Sequence, residues 1–229
     1  MMDNMYKNQL SDFFNRTYES AVEKQIIIGE FLSIKDEVIG YVKEIIEIPI
    51  CSFIDYISEN CKRLPIEASD VFQFSDFCDA TEIMCSKLCR NNTGLKFKEI
   101  AELLFNDDIQ RSDCALNKYG ENHIKTAELL GLAFKDASKK YYLGAIGYAF
   151  NELGEKNKER LLVRLIIRNK LISQLILAAL QGQFDMEAFL YDLSKSTYIR
   201  RKTNIKRIIN VINNSDEFDF SYITKNIIY

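Results

Sequence analysis

The sequence predicts a mainly α-helical protein with one short β-hairpin, and three observations support this fold class. Apolar residues recur at three- and four-residue spacing along most of the chain. Both prolines, Pro49 and Pro65, lie in the first third, so the rest of the chain contains no proline to break a helix. Two short apolar runs flank the polar segment "KDASKK" (135–140), which is the pattern of a hairpin.

The N-terminal region, residues 1–92, is predicted to be helical and has no predicted role. Residues 20–48 are mostly helical by pattern, although "KQIIIGEFL" (24–32) is an alternative short strand. Pro49 ends that element, and the next helix buries residues at helical spacing, namely Ile50, Phe53, Ile54 and Ile57.

A further helix is predicted from about Ser75 to Arg90. The turn "RNNTG" (90–94) follows it and marks a domain boundary. The predicted divisions of the chain are therefore 1–92, 93–156 and 157–229.

Residues 93–156 are predicted to form three short helices followed by the hairpin, after which "GYAFNEL" (147–153) restarts a helix. The first helix is "LKFKEIAELLF" (95–105). The second is "NDDIQRSDCALNKYG" (106–120), with Asp107 or Asp108 as N-cap and Gly120 as its end. The third, "ENHIKTAELLGL" (121–132), buries Ile124, Ala127 and Leu130 and ends at Gly131. Three helices and then a hairpin are the order of a winged helix.

Residues 157–229 are predicted to form a helical unit that ends in a helix-turn-helix. A long helix runs roughly from Glu159 to Leu180, and a short helix capped by Asp185 follows it. Ser194 or Ser196 then caps the start of a final helix, which continues through "TYIRRKTNIKRIINVI" (197–212).

Positive charge is concentrated in this last part of the chain. The protein carries 30 Lys and Arg, 33 Asp and Glu and a formal charge of −3. Residues 156–207 alone contain twelve basic and four acidic residues, a net charge of +8, and six of the basic residues lie in thirteen positions from Lys195 to Arg207 with no carboxylate. Such asymmetry favours a site for a polyanion, although a solvated helix face is the alternative.

The final helix has one apolar side and one basic side. Projection at about 100° per residue places Tyr198, Ile205, Ile209 and Ile212 on the buried side. The residues predicted to enter a DNA groove are Ser196, Arg200, Thr203, Asn204 and Arg207, and those predicted to neutralise phosphates are Lys195, Arg201, Lys202 and Lys206. Arginine suits phosphate and guanine, and asparagine can pair with adenine.

Short motifs in the second half resemble those of tandem winged-helix and helix-turn-helix proteins associated with bacterial restriction-modification and defence systems. The motifs are "NDDIQRSDCALNKYG" (106–120), "ELLGLAF" (128–134) with "KKYYL" (139–143), and "LSKSTYIRR" (193–201). The resemblance covers about residues 95–213. It implies double-stranded DNA as the partner, bound by a transcriptional regulator or by the recognition component of a restriction or antiviral defence complex, and it is compatible with a dimer.

The first winged unit is a weaker candidate for reading DNA. Its third helix carries Glu121 and Glu128 beside Lys125, which favours packing or dimerisation. Lys139 and Lys140, together with Lys135, lie on the predicted wing and are predicted to contact phosphates.

No catalytic residues, metal site or cofactor are predicted. Cys78, Cys85 and Cys89 share one helix face without zinc-type spacing, so core packing is the prediction for them. His123 is predicted to lie on an exposed surface. The aromatic residues Phe72, Phe74 and Phe77 are predicted to belong to the core, with an oligomer interface as the alternative.

Two alternatives to DNA binding remain at this point. One is a helical scaffold or adaptor whose basic face binds an acidic partner protein. The other is a metal-dependent nuclease subunit, although Glu30, Lys35 and Asp36 lack the required spacing. A cytoplasmic location is expected because the N-terminus lacks a signal-peptide pattern and the apolar segment 161–180 is interrupted by Arg164, Arg168 and Lys170.

Overall fold

The computed structural model describes residues 4–15, 28–73, 79–91, 93–105, 111–191 and 193–229. These residues form twelve α-helices and four short strands, so the mainly helical fold class is confirmed. The helices are α1 (Asn4–Asn15), α2 (Ile28–Glu47), α3 (Ile50–Asn60), α4 (Met84–Leu88), α5 (Phe97–Leu104), α6 (Asp113–Leu129), α7 (Ala145–Glu152), α8 (Glu155–Arg168), α9 (Lys170–Gln181), α10 (Met186–Phe189), α11 (Lys195–Asn213) and α12 (Ser221–Thr224). The strands are β1 (Ala133–Lys135), β2 (Tyr141–Leu143), β3 (Phe184–Asp185) and β4 (Ile227–Ile228).

The chain divides into two compact units, neither of which is continuous in sequence. The first unit comprises Met1–Asn15, Lys43–Ser75 and Glu159–Tyr229. The second comprises Arg16–Val42 and Asp76–Lys158. Within the described residues, no helix is both long and apolar enough to cross a membrane.

The core of the first unit is built on α3, which begins directly after Pro49. The predicted apolar positions of this helix, including Phe53 and Ile57, are all buried. Phe13 of α1 packs edge-to-face on Phe53 with 5.8 Å between ring centroids, and α3 also packs on α9. Each fully buried side chain of this size stabilises the fold by roughly 1.5–3 kcal/mol.

The predicted long helix from Glu159 to Leu180 is wrong in one respect, because it is two helices, α8 and α9. They are separated at Asn169, whose side-chain oxygen accepts hydrogen bonds from the backbone N–H of Leu171 (3.0 Å) and Ile172 (3.4 Å). An asparagine in this position satisfies the free N–H groups at a helix start, so it begins a new helix.

In the second unit, the two helices predicted at 106–120 and 121–132 are a single helix, α6. Residues 106–110, with the proposed caps Asp107 and Asp108, lie outside the described residues, and Ser112 caps α6 by accepting from the N–H of Ala115. Gly120 lies inside α6 and does not end it. A Cβ at Gly120 would lie 1.8 Å from the carbonyl oxygen of Phe97, so glycine permits α5 and α6 to approach closely.

The predicted hairpin is confirmed. Strands β1 and β2 pair antiparallel, with Lys135 opposite Tyr141. Tyr141 also forms an antiparallel bridge with Leu95, two residues before the start of α5, through hydrogen bonds of 3.0 and 2.8 Å. In the first unit, β3 and β4 form a second small sheet, which is parallel.

Two expectations for the N-terminal third need correction. The strand alternative for 24–32 is wrong over residues 28–32, which begin α2, and residues 24–27 lie outside the described ranges. The helix expected from Ser75 to Arg90 is observed as one turn of π-helix, Asp79–Ile83, that continues into α4. Its expected start at residues 75–78 is not described.

Candidate nucleic-acid interface

Helix α11 begins with the cap that the sequence predicts. The hydroxyl of Ser194 accepts a hydrogen bond from the N–H of Thr197 at 3.3 Å, in the geometry of an N-cap. The preceding short helix, α10, is capped in the same way by Asp185, which accepts from the N–H of Ala188 at 2.9 Å. A short helix and a turn therefore lead directly into a 19-residue helix.

The buried side of α11 also agrees with the prediction. Tyr198, Ile205, Ile209 and Ile212 are each at most 3% exposed, and Ile208 joins them. Because successive residues rotate by about 100°, this stripe anchors one side of the helix and leaves the opposite side in solvent.

The solvent side of α11 carries three rows of side chains. The arginine row consists of Arg200 and Arg207, both exposed. The central row consists of Ser196, Thr203 and Asn210, which are exposed and uncharged. The lysine row consists of Lys195, Lys202 and Lys206, of which Lys202 is half-buried. Members seven residues apart lie almost in line along the axis, separated by about 10 Å, and the two charged rows are about 130° apart around the helix.

The lysine row is bordered by aromatic rings. The Nζ atom of Lys206 lies 4.3 Å from the ring centroid of Tyr229, and that of Lys202 lies 5.6 Å from the ring of Tyr198. Cation–π contact of this kind orients an ammonium group without neutralising its charge. Arg200 is held along its own helix, with Nε 3.3 Å from the carbonyl oxygen of Ser196.

The structure gives one predicted groove residue a different role and shows a second basic residue partly covered. The amide nitrogen of Asn204 donates to the carbonyl oxygens of Phe72 (3.4 Å) and Gln73 (2.8 Å), so this side chain fastens α11 to the segment before residue 74. The expectation that Asn204 faces a base is therefore corrected. Arg201, predicted to neutralise a phosphate, is half-buried beside the apolar stripe.

Other basic residues of the positively charged segment belong to the interior of the first unit. Arg164 of α8 is 0% exposed and donates to the carbonyl oxygens of Ile45 (2.9 Å) and Ile48 (2.8 Å). Its two terminal nitrogens lie 2.9 Å from the two carboxylate oxygens of Glu217. Arg160 bonds to the same carboxylate at 3.1 Å.

This arrangement determines the ionisation of Glu217. Burial opposes its charge, but the hydrogen bonds and positive charges of Arg164 and Arg160 outweigh burial and hold the pKa of Glu217 below its usual value. On α9, Lys170 pairs with Asp70 at 2.7 Å. Arg160 and Arg164 of α8 and Lys170 of α9 are therefore engaged in contacts within the first unit.

Helix α6 of the second unit presents balanced charge. Lys118 pairs with Glu121 at 2.8 Å and Lys125 with Glu128 at 2.6 Å, both one turn apart. His123 is 0% exposed, with Nδ1 2.8 Å from the carbonyl oxygen of Tyr119, so the expectation of an exposed histidine is wrong. The ring packs inside the unit because it lies on the same side of α6 as the buried Ile124 and Ala127.

The hairpin tip presents the lysines expected on a wing. Lys139 is exposed and has a positive φ of 64°, and Lys140 is partly exposed. Asp136 holds the turn by accepting from the N–H of Lys140 at 2.8 Å, and this hydrogen bond lowers the pKa of Asp136. The turn geometry thus projects Lys135 and Lys139 into solvent.

The cysteines and aromatics agree with core packing where the structure describes them. Cys85 is fully buried, and burial raises the pKa of its thiol, while Cys89 is half-buried. Phe72 is buried at 0% exposure. Cys78, Phe74 and Phe77 lie outside the described residues. Among the side chains that are described, no group of three or more His, Cys, Asp or Glu is placed to hold a metal ion.

Sequence reasoning missed two residues of the α11 face. Asn210 is exposed and continues the row of Ser196 and Thr203 at the same seven-residue spacing. Ile199 is 59% exposed between that row and the lysine row. Seven residues correspond to almost two full helical turns, so the position of Thr203 on the exposed side also implies that of Asn210.

Comparison with known proteins returned no matching family model, no similar curated protein and no similar solved structure.

Proposed function

We propose that this protein binds double-stranded DNA by placing the solvent face of α11 in the major groove, as a transcriptional regulator or as the recognition component of a restriction or defence complex. The observation that carries the proposal is the arrangement of α11 in three rows, with an uncharged hydrogen-bonding row between an arginine row and a lysine row.

The electrostatics of α11 suit a polyanion. The helix has no carboxylate along its 19 residues. Lys195, Arg200, Lys202 and Lys206 form no ion pair with any residue in the described ranges. Their charge is therefore available to DNA phosphates. When basic side chains neutralise phosphates, the counterions bound to the DNA are released, and this release supplies much of the affinity of DNA-binding proteins.

The dimensions of α11 suit the major groove. A helix with its side chains is about 10–12 Å across and the groove of B-DNA is about 12 Å wide. When the central row faces the base edges, the two charged rows face the groove walls that carry the phosphates. Ser196, Thr203 and Asn210 then meet hydrogen-bonding groups on the bases, while Arg207 reaches phosphate or guanine.

The second unit supports the winged-helix part of the proposal by its order of elements. Helix α4 is followed by Leu95, α5, α6 and the β1–β2 hairpin, and Leu95 pairs antiparallel with Tyr141 of β2. A helix, a short strand, two helices and a hairpin that pairs with the first strand are the elements of a winged helix in sequence order. Because α6 carries balanced ion pairs, we assign the main DNA contact to α11 and only phosphate contacts to Lys139 and Lys140.

An acidic partner protein is the second candidate for the same face. Tyr191 is 78% exposed just before Lys195, and exposed tyrosines are enriched at protein interfaces. In this alternative the arginines of α11 contact carboxylates and DNA binds weakly or not at all.

Fluorescence anisotropy with a labelled random DNA duplex tests the proposal. At about 50 mM salt we expect micromolar or tighter binding by the wild-type chain and a loss of more than about tenfold in the variant Arg200→Ala/Arg207→Ala. The matched control is Lys43→Ala/Lys62→Ala, which removes two exposed positive charges elsewhere in the first unit and should bind as the wild type does. Absence of binding by the wild-type chain would overturn the proposal and favour the acidic partner.

A further inference from the structure

Ile199 is an exposed aliphatic residue on a face that is otherwise polar or basic. Its side chain is 59% exposed. It lies one turn after Ser196 and Lys195 and one turn before Thr203 and Lys202, so it sits between the central row and the lysine row. Single exposed apolar residues are common on protein surfaces. Ile199, however, lies within the proposed interface, where an apolar side chain would contact the DNA.

We propose that Ile199 contacts the 5-methyl group of thymine in the major groove and gives α11 a preference for thymine-containing base pairs. This inference rests on the proposed function. Thymine presents a methyl group at the major-groove edge, and apolar side chains are its natural contact.

The chemistry of the neighbouring side chains supports this assignment. When the lysine row meets phosphates and Thr203 meets a base edge, Ile199 is carried into the space between the two. An isoleucine cannot bind phosphate or satisfy a base donor or acceptor, so placing it against a polar edge would desolvate that edge without a hydrogen bond. The methyl group of thymine is apolar, so Ile199 covers it without removing water from a hydrogen-bonding group.

The expected size of the effect follows from the area that two apolar groups cover. Burial of one methyl-sized group corresponds to a change in affinity of about three- to fourfold. The effect should be absent when the methyl group or the isoleucine is removed, and it should not depend on the phosphates.

Replacement of thymine by uracil in the DNA tests the contact directly, because it removes the methyl group and leaves the base-pairing groups in place. Duplexes of one length that consist only of A·T pairs are prepared with either thymine or uracil, and their affinities for the full chain are measured by anisotropy at constant salt. We expect the wild-type protein to bind the thymine duplexes about three- to fourfold more tightly, and Ile199→Ala to bind both equally. Ile228→Ala, at another exposed isoleucine (49%), is the matched control and should keep the preference.

The outcomes separate this inference from the proposed function. Equal binding of both duplexes by the wild-type chain would overturn the thymine contact and leave DNA binding intact. A preference that persists in Ile199→Ala would assign the contact to another residue and also overturn the inference. Failure to bind either duplex would remove the proposed function itself. An unchanged melting temperature in Ile199→Ala establishes that the variant is folded.

Discussion

Helices α8 and α11 have similar basic content but use it differently. Helix α8 contains five Lys and Arg residues and α11 contains six. Arg164 of α8 is completely buried and bonded to Glu217 and three carbonyl oxygens, whereas Arg200 and Arg207 of α11 are exposed. The comparison teaches that a run of positive charge is not by itself a binding surface, because in α8 the central arginine belongs to the core.

The difference arises from the hydrophobic pattern of each helix. In α8, Arg164 lies among the buried residues Leu161, Val163 and Leu165, so its guanidinium group must find partners inside the protein. In α11 the stripe from Tyr198 to Ile212 occupies one side, and the arginine row falls on the other.

Loss of the buried arginine should give the largest effect on stability. We expect Arg164→Met to lower the free energy of unfolding by about 3–5 kcal/mol, because Glu217 and two buried carbonyl oxygens lose their donor. Urea denaturation monitored by circular dichroism measures the change. Arg200→Met, the same substitution on α11 at an exposed arginine, should stay within about 0.5 kcal/mol of the wild type. Equal effects at the two sites would contradict the distinction between these helices.

Low pH should weaken the contact between Arg164 and Glu217 in the first unit. Since the pKa of Glu217 is lowered in the folded state, its contribution to stability is complete above the ordinary pKa of glutamate and is lost as the pH falls through the lower folded value. We expect the free energy of unfolding to decline as the pH falls below about 5, and that of Glu217→Gln to decline less over the same range. The midpoints of urea denaturation, determined across this pH range, measure the decline in the wild-type protein and in Glu217→Gln. An identical decline in the variant would show that Glu217 is not responsible.

A smaller effect is expected at Asn204, which has a structural role on α11. Asn204→Ala should cost about 1 kcal/mol of stability, because the carbonyl oxygens of Phe72 and Gln73 lose a hydrogen-bond donor, and it should leave DNA affinity unchanged. Thr203 is the neighbour of Asn204 on the exposed face, and Thr203→Ala should lower DNA affinity while leaving stability unchanged. Thermal melts measure the stability of the two variants, and anisotropy titrations measure their DNA affinity. A loss of DNA affinity in Asn204→Ala would show that Asn204 belongs to the binding surface after all.

Local pattern was sufficient to predict the elements of α11 and the hairpin. The caps Ser194 and Asp185, the stripe from Tyr198 to Ile212 and the strands around residues 135–140 depend on neighbours within a few positions. Exposure of Arg200 and Arg207 follows from the same period.

Contacts between distant parts of the sequence explain what could not be predicted. Asn204 bonds to Phe72 and Gln73, which are more than 130 positions away, and Arg164 meets Glu217 after 53 positions. Gly120 resembles a helix end in sequence, yet it lies inside α6, where the backbone of Phe97 in α5 leaves no space for a side chain. His123 is buried by packing that its own helical segment does not reveal.

The salt dependence of DNA affinity tests the role of α11 most directly. Dissociation constants for a random duplex are measured from about 50 to 200 mM salt for the wild-type chain and for Arg200→Ala/Arg207→Ala. We predict that wild-type affinity falls at least about tenfold over this range, and that the slope of log affinity against log salt is smaller by about two in the variant. An identical slope in the two proteins, or wild-type binding that does not respond to salt, would contradict the assignment of DNA binding to α11.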